Sequence, residues 1–97
     1  MAELFELLEA VGGSIAALKT HVDLIDDWNM EGWKRFCERA QALDLLILED
    51  RKFADIGKIS RKQMGGIYSI KEWSDLVTAH LISGPDIVDG LLSLIHI

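Results

Sequence analysis

Two lysines, two aspartates and a histidine in this sequence have types and spacing that could do chemistry. Lys19 and His21 close the stretch Leu18-Lys-Thr-His-Val-Asp23. Asp50, Lys52 and Asp55 fall in Glu49-Asp-Arg-Lys-Phe-Ala-Asp55. A lysine fixed beside an aspartate is a held cation, a group that can give up a proton or steady a developing negative charge. Each alone has a plainer reading. A charged run after a strand is ordinarily a solvated loop, and Asp55 could cap the helix that follows. His21 and His80, taken singly, read as structural.

The surrounding pattern brings these residues together. Leu4, Leu7, Leu8 and Val11 recur at helical spacing before Gly12-Gly13. The run from Ile15 to Thr20 reads as a buried strand. Trp33, Phe36, Cys37, Ala40 and Leu43 mark a second helix, with Glu31 and Arg35 paired on its outer face. Leu45 to Leu48 is a second apolar run, ended by Glu49 and Asp50 and suited to a strand covered on both faces. A helix follows over 56–64, then a weaker strand over 75–79 and a helix opened by Gly84-Pro85. Helix and strand alternate throughout, so the fold class is α/β with a parallel sheet. Functional groups in such folds gather at the C-terminal ends of the strands, so Lys19, Asp50 and Lys52 should converge there. Three strands cannot close a TIM barrel, which takes about 250 residues.

Composition narrows the function classes. The chain has 97 residues, 49% of them hydrophobic, and a formal net charge of −6. The charge argues against a nucleic-acid partner and against docking on anionic membranes. The acidic N-terminal stretch lacks the form of a signal peptide, and no apolar run approaches a membrane span. The single cysteine, Cys37, allows no internal disulfide and reads as a packed hydrophobe. Trp28, Trp33 and Trp73 read as packing residues. No Gly-rich phosphate loop, zinc spacing or nucleophile elbow is present. A cytoplasmic protein is expected.

The wording of the motifs is more specific. Leu18-Lys-Thr-His-Val-Asp23 followed by Leu48-Glu-Asp-Arg-Lys-Phe-Ala-Asp-Ile-Gly57 resembles orotidine 5′-phosphate decarboxylase. So do Gly65-Gly-Ile-Tyr68, Glu72-Trp-Ser-Asp75, Ala79-His80 and Gly84-Pro-Asp-Ile-Val-Asp-Gly90. The resemblance implies a partial TIM (β/α)8 barrel over 1–91 with a tail over 92–97 that does not match, so that His96 gets no functional reading. It implies a carboxy-lyase that converts orotidine 5′-phosphate to UMP and carbon dioxide without cofactor or metal. It implies a homodimer with shared active sites, in some organisms fused to a phosphoribosyltransferase.

On this resemblance Lys19, Asp50, Lys52 and Asp55 are catalytic. Lys52 protonates the ring carbon that loses carbon dioxide, and Asp50 lies against the departing carboxylate. Lys19 and Asp55 contact the ribose, Asp55 by reaching the partner subunit's site, and His21 lies near the substrate. Lys58 and Ile59 stand where the family usually has Asn-Thr, and isoleucine lacks the hydroxyl that serves the shared ribose site. The family's first strand, with a ribose-binding aspartate, and its later strands, which grip the phosphate and base, have no counterpart here. The chain is therefore expected to be a piece of a longer enzyme, inactive alone. Two other readings share part of this pattern. A magnesium-dependent sugar-phosphate decarboxylase or aldolase shares the D-x-K-x-x-D element, but such enzymes carry an acidic residue where Lys19 stands. A truncated, non-catalytic module could instead dimerise with the full-length enzyme.

Overall fold

The computed structural model describes residues 1–94. The last three residues of the expected tail, His96 among them, lie outside the described residues. The elements run α1 (Ala2–Val11), β1 (Ala17–Thr20), α2 (Met30–Ala42), β2 (Leu46–Phe53), α3 (Gly57–Gly65), α4 (Ile70–Trp73), β3 (Leu76–Ala79) and α5 (Asp86–Leu92). The strands form one parallel sheet in the order β1-β2-β3. This is the expected α/β alternation, consistent with part of a TIM barrel. No helix among the described residues is long and apolar enough to cross a membrane.

The helices form where sequence supplies both a start and a buried stripe. Asn29 caps α2, its side chain accepting from Gly32 N–H at 2.8 Å. Trp33, Phe36, Cys37 and Ala40 then fall on one face and are buried. Trp33 stacks on Phe36 at 4.8 Å between ring centroids and meets the Trp73 ring edge-on at 5.2 Å. Cys37 is thus a core residue, and its burial pushes the thiol up to about 12. On the exposed side Glu31 pairs with Arg35 at 3.1 Å, as the spacing predicts.

Helix α4 leaves no signal in the sequence. It is a single turn, too short to show a periodicity. Its burial holds it: Ile70 and Trp73 are buried, and the Trp73 indole donates to the Tyr68 carbonyl at 2.7 Å.

Alternation along β2 divides the sheet into two unlike faces. Ile47 and Glu49 point into the helix layer and are 0% exposed. Leu46, Leu48 and Asp50 point the other way. The register sets Lys19 beside Leu48, and Leu76 beside Leu48 on the other flank. This second face is open, with Leu46 51% and Leu76 49% exposed. The expectation of a strand covered on both faces is therefore corrected. An apolar run on an inner barrel face is covered by side chains of other strands across the barrel, and three strands supply only one wall.

Strand β2 also runs past its expected end at Leu48. Its charged residues remain in the ladder because β3 pairs with them, as far as Phe53 opposite Ala79. The third strand starts one residue later than expected. Asp75 still serves the sheet, since its backbone N–H donates to Ile47 O at 2.9 Å and its carboxylate accepts from Ile47 N–H at 2.8 Å.

Candidate active site

The chemistry-bearing residues meet where β1, β2 and β3 end. Between Glu49 and Phe53 the chain takes four steps along β2, while β3 takes two, from Val77 to Ala79. The excess is a bulge holding Asp50, Arg51 and Lys52. Bulges re-aim side chains beside functional sites. Lys52 is the strained point, with φ +55°. A non-glycine residue in this left-handed region costs of order 1–3 kcal/mol, and such strain persists only where neighbours over-determine it.

The neighbour here is Thr78 of β3. Its hydroxyl accepts from Lys52 N–H at 2.9 Å and donates to Asp50 Oδ1 at 2.8 Å. The other carboxylate oxygen of Asp50, Oδ2, is bonded by the Lys52 ammonium and lies 3.8 Å from Lys19 Nζ. One aspartate thus holds two lysines from adjacent strands. Asp50 is shielded, with its side chain 14% exposed, while Lys19 and Lys52 are 69% and 52% exposed toward the open face. The bond from Lys52, then that from Thr78, holds the Asp50 carboxyl below the usual carboxylate range.

Of the five residues singled out in the sequence, the structure therefore joins Lys19, Asp50 and Lys52. It sets His21 and Asp55 apart. His21 Nε2 pairs with Asp23 Oδ1 at 3.1 Å. The Asp55 carboxylate accepts from Ile56 N–H at 2.7 Å, so it lies against the start of α3 without being its cap residue. The Asp55 carbonyl is fixed by two hydroxyls, Ser60 Oγ at 2.9 Å and Ser83 Oγ at 2.7 Å. No hydrogen bond or ion pair links Asp55 to the lysine cluster among the described residues.

Two residues that sequence reasoning passed over support the site. Thr78 gave no signal, being one threonine in a weak strand. In the sequence Glu49 reads as the charge ending a strand, yet it is the buried carboxylate behind β1. Its oxygens accept from Val22 N–H at 3.0 and 3.2 Å and from Thr20 Oγ at 3.3 Å. It so ties down the turn that carries His21. Burial pushes the Glu49 carboxyl up, against the lowering effect of these bonds. A cavity of about 310 Å³ lies beside β1, walled by Leu4, Leu8, Trp33 and Phe36, and Lys19 and His21 also line it. Neither Asp50 nor Lys52 lines it. No group of three or more His, Cys, Asp or Glu among the described residues is placed to hold a metal ion.

A family model described as the orotidine 5′-phosphate decarboxylase / HUMPS family matches residues 1–96. The chain belongs to that family. Among relatives, it is 48% identical over 91 residues to the orotidine 5′-phosphate decarboxylase of Saccharomyces cerevisiae, covering 92% of this chain and 34% of that enzyme. It is 49% identical over 92 residues to the enzyme of the same name from Maudiozyma exigua, covering 93% of this chain and 34% of the relative. It is 44% identical over 90 residues to the uridine 5′-monophosphate synthase of Bos taurus, covering 92% of this chain and 19% of that protein. The chain thus spans about a third of the decarboxylases it matches. Within the family, these relatives are decarboxylases or the synthase, not sugar-phosphate enzymes.

Proposed function

We propose that this segment supplies the catalytic charge array for decarboxylation of orotidine 5′-phosphate to UMP, and that turnover needs the rest of the barrel. The observation that carries this reading is the pair of lysines held on one shielded aspartate at the ends of β1 and β2. The bond from C6 of the pyrimidine to its carboxylate breaks, carbon dioxide leaves, and the electron pair stays at C6. The Lys52 ammonium transfers a proton to that carbon, and solvent restores the lysine. Fixed cations stabilise the charge as it develops, with no metal or cofactor taking part. Asp50 keeps Lys52 and Lys19 in place and lies against the departing carboxylate. Lys19 also contacts the ribose, with His21 near the substrate.

Asp55 is assigned to a second subunit's site in a homodimer. Its separation from the lysine cluster and its doubly anchored carbonyl support that role. The place of action is the cytoplasm, in keeping with one buried, free cysteine.

The test uses a closed barrel in which residues 1–91 replace the matching stretch of the Saccharomyces cerevisiae enzyme. Lys52→Ala should abolish nearly all turnover while UMP still binds. Turnover at the unsubstituted level would end the proton-donor assignment, and loss of activity on adding EDTA would point to a metal-dependent reaction instead. A second reading draws on the exposed Leu46 and Leu76 of the open face. On that reading the chain is a non-catalytic module that associates with the full-length enzyme, and co-purification of the two would support it.

A further inference from the structure

We infer that Thr78 is a positioning residue for the Asp50–Lys52 pair, its one hydroxyl setting both the direction of the carboxylate and the backbone of the lysine. The inference rests on the proposed function for its catalytic consequence, and on geometry alone for its structural one.

Thr78 is the β3 residue facing the bulge, between the paired positions Val77 and Ala79. At that point β2 has looped out, so the Lys52 N–H has no regular ladder partner. The Thr78 oxygen takes that amide at 2.9 Å. Having accepted there, the hydroxyl has its proton free to donate, and it donates to Asp50 Oδ1 at 2.8 Å. The two bonds complete one another: a hydroxyl is both donor and acceptor, and here each capacity is used on one member of the catalytic pair.

The effect on each member differs. Lys52 has φ +55°, and the bond to its amide helps fix that left-handed turn, which aims the side chain back along β2 at Asp50. Asp50 has its Oδ1 bonded to Thr78, so Oδ2 is left facing both ammonium groups. Without the hydroxyl the carboxylate could rotate, sharing its oxygens unequally between Lys19 and Lys52. The charged groups around Asp50 are Lys19 from β1 and Lys52 from β2, and β3 presents the neutral Thr78 hydroxyl. Removing that donor leaves the carboxylate less stabilised, so its protonation moves to higher pH.

Thr78→Val keeps the side-chain shape and removes the hydroxyl. Thr78→Ser keeps the hydroxyl. Two measurements decide the matter separately. The first is the titration of the Asp50 carboxyl carbon by NMR in the full 97-residue chain. Valine should raise the midpoint and serine should restore it. The second is the pH–rate profile of the grafted barrel. Valine should lower kcat by roughly ten- to a hundredfold, the worth of a hydrogen bond to a charged group. KM should stay within about twofold, because the loss falls on the transition state and not on ground-state binding. The acidic limb should move to higher pH, and serine should recover both kcat and limb.

An Asp50 midpoint and a kcat both unmoved by valine would overturn the inference. So would a serine variant as impaired as valine, since packing and not the hydroxyl would then be the cause. A grafted barrel without turnover before any substitution at Thr78 would count against the proposed function, and the NMR titration would still decide the role of Thr78.

Discussion

Glu49 offers a test of how the site is held from behind. It is 0% exposed, and its carboxylate accepts from Val22 N–H and from Thr20 Oγ. Leucine at this position would fill similar space and strand the Val22 donor. The Thr20 hydroxyl would keep Leu48 O at 3.5 Å, so one donor is orphaned and not two. One unsatisfied buried donor costs about 1–3 kcal/mol. Opposing this, leucine removes a carboxylate whose burial raises its pKa above the ordinary 4.5.

The sign follows from proton binding. The folded state binds the Glu49 proton more tightly than the unfolded state does. Glu49 therefore lets stability fall as pH rises from about 4.5 through its folded pKa, by about 1.4 kcal/mol for each unit of elevation. Its neighbours act oppositely, His21 lowering that pKa and Asp23 raising it. Glu49→Leu should thus be less stable than the parent by the full ~1–3 kcal/mol near pH 4.5, with the gap narrowing as pH rises through the folded pKa of Glu49. Glu49→Gln keeps an acceptor for Val22 and should gain on the parent as pH rises. Urea unfolding followed by the fluorescence of the buried Trp33 and Trp73 measures both. Parallel stability curves for the parent and Glu49→Gln across that range would refute the proton linkage. Equal stability of the parent and Glu49→Leu near pH 4.5 would refute the stranded donor.

The α3–α5 crossing and the core thiol give two further tests. A Cβ on Gly57 would come within 2.3 Å of Asp86 O, and one on Gly90 within 2.4 Å of Gly57 O. Gly57→Ala and Gly90→Ala should each lower the urea-derived stability by about 1–3 kcal/mol, as overpacking does. The pair should be less than additive because both overpack the same crossing, and a shift of the helices that accommodates one also accommodates the other. Cys37, its pKa pushed up to about 12 and its side chain buried, should resist iodoacetamide at neutral pH and react only as the chain unfolds. Rapid alkylation of the folded chain, read by mass spectrometry, would contradict this.

Much of the fold was legible because apolar runs and helical stripes are the residues that tertiary structure buries. Trp33, Phe36, Cys37 and Ala40 announced α2, and Lys19, Asp50 and Lys52 announced the cluster. The failures share a cause. Glu49 and Asp50 are adjacent charges on one strand, so they point to opposite faces, one into the core and one into the site. Composition gives both as a strand-ending charge, and only the pairing of β2 with β1 and β3 assigns their faces. The bulge at 50–52 is likewise invisible in sequence, because it arises from the mismatch of two strands and not from any residue in one. Thr78 acquires its role from that mismatch. Asp55 next to a helix start looked like a cap, but α3 begins one residue later than a cap there would require.

The same pairing explains how a segment about a third the length of its relatives can carry the charge array at all. Lys19 comes from β1, Asp50 and Lys52 from β2, and Thr78 from β3, three neighbouring strands of one sheet. Their relative positions are set by pairing between nearest neighbours and by the bulge where β2 outruns β3, not by closure of a barrel. A grip on a distant phosphate is different, since it needs groups from strands across the barrel to act together. Under the proposed function the chemistry and the grip are therefore separable. The array would be preformed here, while the binding energy that turns such an array into catalysis must come from elsewhere in the barrel.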